Sequence, residues 1–336
     1  MIGAGRKRIG RKLWRHFRGA DIGGNMELSS RFLSGLIFTV VLVLSSSALA
    51  HHSHGNYQIG QEIQLEGVVT EFLFANPHVW VFMEVEDDMG KGVVWALEGG
   101  GTASFSRAGW DRVAAGDNLS VECTPTRDGA NGCFITNIVI NASHSAPTES
   151  TVWTNFTFAD QLFSANFPSE PNIRKAPYES EYGGTFPSTV YEAWSGDNYY
   201  SMTVVDFSDA KNVYLKLAET INVAGAHNFW LYDQMGAISY AAQQFRLRGG
   251  EVTYDAWHHV DFVGGHQLFL TNPDQTRTYA GIYRHADRLY ILEATVSEDA
   301  PPQGVFQQSL TVLDEEGKRI RYELQPDHTR VRIDAD

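Results

Sequence analysis

The strongest constraint on the fold is an alternation of apolar and polar residues that begins about 60 residues into the chain. The run "EIQLEGVVTEFLF" (62–74) has this period of two, which is typical of a β-strand with one buried face. "HVWVFMEVED" follows, and the turn sequence "DMGKG" joins it to "VVWALEG" as a hairpin. This region is therefore predicted to fold around antiparallel strands.

The next segments complete a recognisable order of elements. Gly99–Gly101 leads into a short helical candidate with Thr102 as its N-cap, and "DNLSVECTP" and "CFITNIVI" supply two more strands. The glycines are interpreted as a strand-to-helix turn rather than an anion-binding loop, because no P-loop lysine follows them. The order β-β-β-α-β-β predicts an all-β OB-like (oligonucleotide/oligosaccharide-binding) barrel domain over residues 51–143, with a meander or sandwich as the alternative.

The chain begins with a pattern that is typical of export. Arg31 precedes an apolar run over residues 35–44, and residues 48–50, Ala-Leu-Ala, place small side chains at a cleavage position. This run is short for a bilayer span, which needs about 20 residues. We predict a signal peptide within residues 1–50, a periplasmic or secreted bacterial protein, and no stable membrane insertion after cleavage. An uncleaved membrane anchor is the alternative. Met26 offers a second possible start of translation, and residues 1–25 would then be an over-extended start.

Charge narrows the class of partner. The chain has a net charge of −14, and since residues 1–50 contribute +6, the remaining 286 residues carry −20. Such acidity repels phosphate backbones and anionic lipid surfaces. We therefore expect a cation, a neutral ligand or an envelope protein as partner, and no nucleic acid. A length of 286 residues suggests two domains.

The two cysteines of the chain, Cys123 and Cys133, flank the turn-rich segment "TPTRDGANG" between two predicted strands. In an oxidising compartment, two nearby cysteines favour a disulfide over a reactive pair. A metal site built on cysteine is disfavoured because the Cys-x-x-Cys spacing is absent from the sequence. We predict a disulfide between them.

Beyond a predicted Ser/Thr/Pro-containing linker (144–152), the pattern changes. "TFPSTVYEAWSGDNYYSMTVVDFS" predicts a hairpin that turns at residues 195–198, and a helix is expected from about residue 226 to 247. Strands are expected in "EVTYDAWHHVDFVG", "HQLFLTNP" and "TYAGIYRHADRLYILEATV", and a last helix in "QGVFQQSLTVL". Residues 153–326 are therefore predicted to form an α+β antiparallel-sheet sandwich, followed by a tail (327–336).

Four histidines form the candidate metal site. His51, His52 and His54 follow the predicted cleavage position, and His78 begins the second predicted strand. Cleavage before His51 would give this residue a free amine beside its imidazole, and a nitrogen of His54 or His78 would complete a Cu(II) site of the histidine-brace type. Imidazole is a common ligand of copper and zinc. The alternatives are a looser site at His52 and His54, or a flexible His-bearing terminus without a biological metal.

Other functional patterns are weaker. His258 and His259 are neighbours in a predicted strand, so their side chains diverge, and they are interpreted with His266 as structural or surface residues. A Gly-x-Ser-x-Gly elbow and a His-Glu-x-x-His helix are absent from the sequence. An enzymatic function is therefore not favoured.

The first region carries a family resemblance. The combination of His-His-Ser at 51–53, "GVVTEF", Asn-Pro-His at 76–78, "RAGW" at 107–110 and "GD" at 116–117 resembles an uncharacterised family of small exported bacterial proteins. Those proteins, known as a domain of unknown function, likewise begin with His-His-Ser after the signal. The resemblance covers about 95 residues. It implies export and a barrel-like domain, and it supplies no activity.

The second region resembles the sheet-and-helix domain of the photosystem extrinsic-protein/Ran-binding type. The segments that carry this resemblance are "FSANFPSEP", "YYSMTVVDF", "IYRHADRLYILEATV" and "PPQGVFQQSL", within about 170 residues. It implies a two-face sandwich used for binding, and no catalytic residue comes with it.

Together these observations predict an exported two-domain binding protein that binds copper or zinc through its N-terminal histidines. One alternative is a structural or interaction protein of the cell envelope without a metal. A third reading is a copper-dependent redox enzyme that uses the N-terminal histidine.

Overall fold

The computed structural model describes residues 54–142, 153–221 and 223–333. The predicted signal segment, His51, His52 and the predicted linker lie outside these residues. Within them, strands dominate, and none of their helices has the length and apolar character that crossing a membrane requires.

The first five strands close into a barrel in which the strand order is β1-β2-β3-β5-β4. Their bounds are β1 (Ile63–Leu73), β2 (Trp80–Glu86), β3 (Gly92–Glu98), β4 (Asn118–Pro125) and β5 (Gly132–Ala142), with helix α1 (Thr102–Arg107) between β3 and β4. The β3–β5 pair is parallel, and the other pairs are antiparallel. The predicted closed barrel and its element order are confirmed.

Alternation along the strands fills the barrel. In β2, Val81 and Met83 point into the core, whereas Trp80 and Phe82 point outward. A disulfide joins Cys123 to Cys133, and both sulfurs are buried in the same core. It closes a loop over residues 124–132, called here the disulfide loop.

Helix α1 begins differently from the prediction, which made Thr102 the N-cap. The structure places Thr102 as the first helical residue, preceded by Gly101. The side-chain oxygen Oδ1 of Asn76 accepts hydrogen bonds from both the backbone N–H and the hydroxyl of Thr102, each at 3.1 Å. The acceptor comes from another loop of the barrel, so local sequence could not reveal it.

The second region contains a seven-stranded antiparallel sheet with the order β11-β12-β13-β14-β10-β9-β8, and a three-stranded sheet with the order β15-β7-β6. The strands are β6 (Thr154–Phe158), β7 (Phe163–Phe167), β8 (Asn172–Glu179), β9 (Thr185–Ser195), β10 (Asn198–Asp206), β11 (Glu251–Val260), β12 (Val263–Thr271), β13 (Arg277–His285), β14 (Arg288–Val296) and β15 (Thr311–Val312). The helices are α2 (Ala210–Thr220), α3 (Phe229–Arg246) and α4 (Gly304–Gln307). The β9–β10 hairpin turns where the sequence predicts.

The large sheet buries both faces. One face packs against α2 and α3, through side chains such as Val205, Leu268 and Ile282. The other face packs against the small sheet and α4, around buried tyrosines that include Tyr191 and Tyr283. An α+β region rich in antiparallel sheet is therefore present.

The helices of this region are predicted only in part. Helix α3 is confirmed, whereas α2 was not predicted. The expected last helix is wrong beyond residue 307, because Thr311 and Val312 pair with β7 instead. Thr311 and Val312 are both β-branched, and such residues beside the open edge of a strand favour pairing in a β-sheet over a helix. Strands β16 (Arg321–Leu324) and β17 (Arg330–Ile333) form a hairpin that extends into the predicted tail.

The barrel packs against the second region within one compact unit, Ala50–Asp336. Trp80, Phe82 and Ala96 of its outer face contact Val305 of α4. Gly304 lies so close to the indole ring of Trp80 that a Cβ atom there would overlap the ring. The outer face of β2 and β3 is thus covered by the chain itself, and the division into two separate domains stays a prediction.

Candidate functional site

A buried carboxylate lies at the centre of the candidate site. Glu98 is the last residue of β3, and its neighbour Leu97 points into the barrel core, so Glu98 points to the outer face. Its side chain is nevertheless fully buried. In the ladders, Glu98 pairs with Trp80 of β2 and Phe134 of β5. A carboxylate in this position needs hydrogen-bond donors around it.

Tyr57 supplies the first donor. Its hydroxyl donates to Oε2 of Glu98 at 2.5 Å, and the tyrosine is itself buried. Burial and the negative charge of Glu98 raise the pKa of Tyr57 well above its usual value. The phenol therefore stays protonated and remains a donor at all physiological pH values.

His78 lies on the other side of the carboxylate. Its Nδ1 atom is 3.2 Å from Oε1 of Glu98 and 2.9 Å from the carbonyl oxygen of Gly99. The chain around it is fixed by two backbone hydrogen bonds, from the N–H of Gly99 to the carbonyl of Val79 and from the N–H of Val79 to the carbonyl of Gly100. The glycine cluster of the sequence therefore supports the histidine through its backbone.

His54 approaches from the N-terminal side. Its ring meets the ring of Phe134 edge-on, with 4.6 Å between centroids, and lies 6.3 Å from the ring of Tyr57. Since Phe134 is the ladder neighbour of Glu98, the histidine lies on the same outer face of the barrel. We call His54, Tyr57, His78 and Glu98 the N-terminal cluster.

The disulfide loop holds the segment that carries His54 and Tyr57. The N–H of Gln58 donates to the carbonyl of Pro125 at 2.8 Å, and the N–H of Arg127 donates to the carbonyl of Asn56 at 2.9 Å. Tyr57 and Thr126 also form an isolated β-bridge. The disulfide therefore closes the loop against which the N-terminal segment docks.

Of the four predicted metal ligands, the structure describes His54 and His78, and both lie on the outer face of the barrel. His51 and His52 lie outside the described residues. Among residues 54–142, 153–221 and 223–333, no three His, Cys, Asp or Glu side chains converge as a metal-binding group. A complete metal site at the N-terminal cluster would therefore need a ligand from the residues that precede His54.

Sequence reasoning missed Tyr57 and Glu98. Glu98 follows the alternation of its strand onto the outer face, where a charged residue ordinarily indicates exposure to solvent. Its burial depends on segments that are distant in the chain, among them the N-terminal segment with Tyr57. The useful signal in the sequence was the alternation itself, which separates Glu98 from the barrel core.

The histidines of β11 and β12 do not converge. We call His258, His259 and His266 the sheet histidines. Each contacts a different side chain: His258 Nδ1 lies 2.8 Å from the hydroxyl of Tyr283, His259 stacks on Phe262 at 4.5 Å between centroids, and His266 Nε2 lies 2.5 Å from Oδ1 of Asp255. These contacts are those of packing and surface pairing.

Comparison with known proteins defines the class of the first region. Residues 40–134 match the model of a family described as "Family of unknown function (DUF6152)", so a domain of that family is present here. All four residues of the N-terminal cluster and both cysteines lie inside the match. None of the curated proteins matches the chain.

A crystal structure of the mitochondrial single-stranded DNA binding protein Rim1 from S. cerevisiae is similar to a part of the chain. It is 10% identical and covers 25% of this chain and 96% of its own, with a TM-score of 0.22. A likeness at this level supports no conclusion about function.

Proposed function

We propose that this protein is an exported binding protein that holds copper or zinc at its N-terminus, in a site completed by the barrel. The observation that carries the proposal is that His54, which packs on Phe134, and His78, which lies beside the buried Glu98, share the outer face of the barrel where the N-terminal segment docks. Imidazole nitrogen is a ligand that both metals accept.

Chain length supports the participation of His51. Three residues, 51–53, precede His54, and three residues of extended chain span at most about 10 Å. An N-terminal amine created by cleavage before His51 would therefore stay close to His54. The imidazoles of His51 and His52 would remain in the same neighbourhood.

Charge and shape support a cation over a nucleic acid. The net charge of −20 beyond residue 50 raises the local concentration of cations. OB barrels that bind oligonucleotides use the face of strands 2 and 3. In this protein α4 contacts that face through Val305, which packs against Trp80 and Ala96. The face that OB barrels use for oligonucleotides is therefore covered, at Trp80 and Ala96, by the chain itself.

Two forms of the protein test the proposal. One begins at His51, as verified by mass, and the other carries one extra residue before His51. Cu(II) and Zn(II) are titrated into each by calorimetry. We expect one metal per chain and a Cu(II) affinity that falls at least about 10-fold in the extended form, because the amine of His51 becomes part of a peptide bond.

The His78→Ala variant of the form that begins at His51 is the second arm. Loss of binding in this variant places the metal at the barrel. Equal affinity in all three proteins would contradict the proposed site, and binding that survives His78→Ala would reduce it to the loose terminal histidines.

A further inference from the structure

We infer that Glu98 and Tyr57 are positioning residues that hold the His78 imidazole in one tautomer, with the proton on Nδ1 and the metal-binding lone pair on Nε2. The part of this inference that concerns metal affinity rests on the proposed function. The part that concerns the tautomer applies to the metal-free protein and is tested independently.

The tautomer follows from the chemistry of the partner. A carbonyl oxygen can only accept a hydrogen bond. The Gly99 carbonyl lies 2.9 Å from Nδ1 of His78, so this contact favours the form with the proton on Nδ1. In neutral imidazole the lone pair then resides on Nε2.

Glu98 strengthens this arrangement. Its Oε1 atom lies 3.2 Å from the same Nδ1, and its Oε2 atom accepts the Tyr57 hydroxyl. Both carboxylate oxygens are thus engaged in holding neighbours, which is the arrangement of a residue that orients a ligand rather than one that coordinates. A carboxylate behind a coordinating histidine fixes the ring and raises the basicity of the ligating nitrogen.

Tyr57 connects the two halves of the cluster. It belongs to the N-terminal segment that carries His54, and through Glu98 it is linked to His78 on the barrel. The chain of contacts Tyr57–Glu98–His78 therefore sets the position of the segment relative to the barrel before any metal binds. A site that is organised in advance loses less entropy on binding.

The first experiment reads the tautomer by long-range ¹H–¹⁵N NMR of the imidazoles in metal-free protein. Wild type is compared with Glu98→Gln, Tyr57→Phe and Glu122→Gln, where Glu122 is an exposed glutamate of β4 that serves as control. We expect a single Nδ1–H form of His78 in wild type and in the control. Glu98→Gln should give a mixture, because an amide can donate as well as accept.

The second experiment measures Cu(II) affinity for the same four proteins. We expect Glu98→Gln to weaken binding about 10- to 100-fold, which is the usual effect of removing such an outer carboxylate. Tyr57→Phe should weaken it about 3- to 10-fold through the looser carboxylate, with Glu122→Gln unchanged. Thermal unfolding verifies that Tyr57→Phe, which loses only one oxygen, stays folded.

Each outcome separates the claims. An Nε2–H form of His78 in wild type would overturn the inference, as would a Glu98→Gln protein with the wild-type tautomer and affinity. If wild type shows the Nδ1–H form and binds no Cu(II), the positioning of His78 stands and the proposed metal function fails.

Discussion

The N-terminal cluster and the sheet histidines use the same residue type in two different ways. His78 lies on the outer face of the barrel, where its Nδ1 donates to a backbone carbonyl beside a buried carboxylate. His258 lies in β11, an edge strand of the large sheet, where it is fully buried and its Nδ1 lies 2.8 Å from the hydroxyl of Tyr283. One ring is held beside a buried carboxylate, and the other is held by a buried tyrosine.

This difference shows that the clustering of histidines in the sequence is a poor predictor of a shared site in the structure. His258 and His259 are adjacent in sequence, yet one bonds a tyrosine and the other stacks on Phe262. His54 and His78 are distant in sequence, and the barrel brings them to one face. The contacts at Nδ1 distinguish the two groups, because Nδ1 of His78 lies 2.9 Å from a carbonyl oxygen, whereas Nδ1 of His258 lies 2.8 Å from a hydroxyl group.

The largest expected effect comes from removing the disulfide, which closes the loop that binds the N-terminal segment. The double change Cys123→Ser and Cys133→Ser should lower the free energy of unfolding by about 2–3 kcal/mol, since the bond closes a short loop. Urea unfolding measures this. Hydrogen exchange should rise at Gln58 and Arg127, which join the segment to the loop, and not at His258. Unchanged exchange at Gln58 would contradict the role of the loop.

The next largest effect is the difference in metal affinity between variants of the N-terminal cluster and variants of the sheet histidines. His78→Ala should weaken Cu(II) binding at least about 100-fold, or about 2.7 kcal/mol, because a ligand is lost. His258→Ala should leave the affinity within about 2-fold of wild type, whatever its cost in stability. Calorimetric titration of both variants is the measurement. Equal losses in the two variants would remove the distinction drawn between the groups.

The sheet histidines should respond to a change that leaves the barrel untouched. Tyr283→Phe removes the hydroxyl that contacts Nδ1 of His258, and should cost about 1–2 kcal/mol of stability because a buried polar atom loses this partner. Thermal unfolding measures the cost, and Cu(II) titration provides the control. A variant that is as stable as wild type would show that this hydrogen bond contributes nothing.

The smallest expected effect concerns the pH dependence of stability. It tests whether the histidines alone account for that dependence. Burial raises the pKa of Glu71, in β1, from its ordinary 4.5 to about 7. An acid with a raised pKa contributes stability that is present below pH 4.5 and lost as the pH rises through about 7. Glu71→Gln should therefore be about 1 kcal/mol more stable than wild type at pH 8 and equal to it at pH 4.

Denaturant unfolding across this pH range reads the difference for Glu71→Gln. If wild type and variant lose stability in parallel as the pH rises, the pH response originates elsewhere, and the histidines become its natural source.

Much of the barrel could be predicted because its signals are local. Alternation in β1 and β2 and the turn between β2 and β3 define strands whatever their neighbours are. Helix α3 has a long apolar repeat and was predicted for the same reason. The strand after Gln307 could not be predicted in this way, because β15 forms only where β7 offers an open edge to Thr311 and Val312.

The sequence by itself determined which residues are candidate metal ligands, the alternation that forms the barrel and the strong net negative charge. These properties reside in single side chains or in short periodic runs. Only the tertiary structure decided that His54 and His78 share one face, that Glu98 is buried, and that Tyr57 donates to it. The physical reason is that burial and hydrogen-bond pairing are relations between segments distant in the chain, here the N-terminal segment, the end of β3 and the disulfide loop.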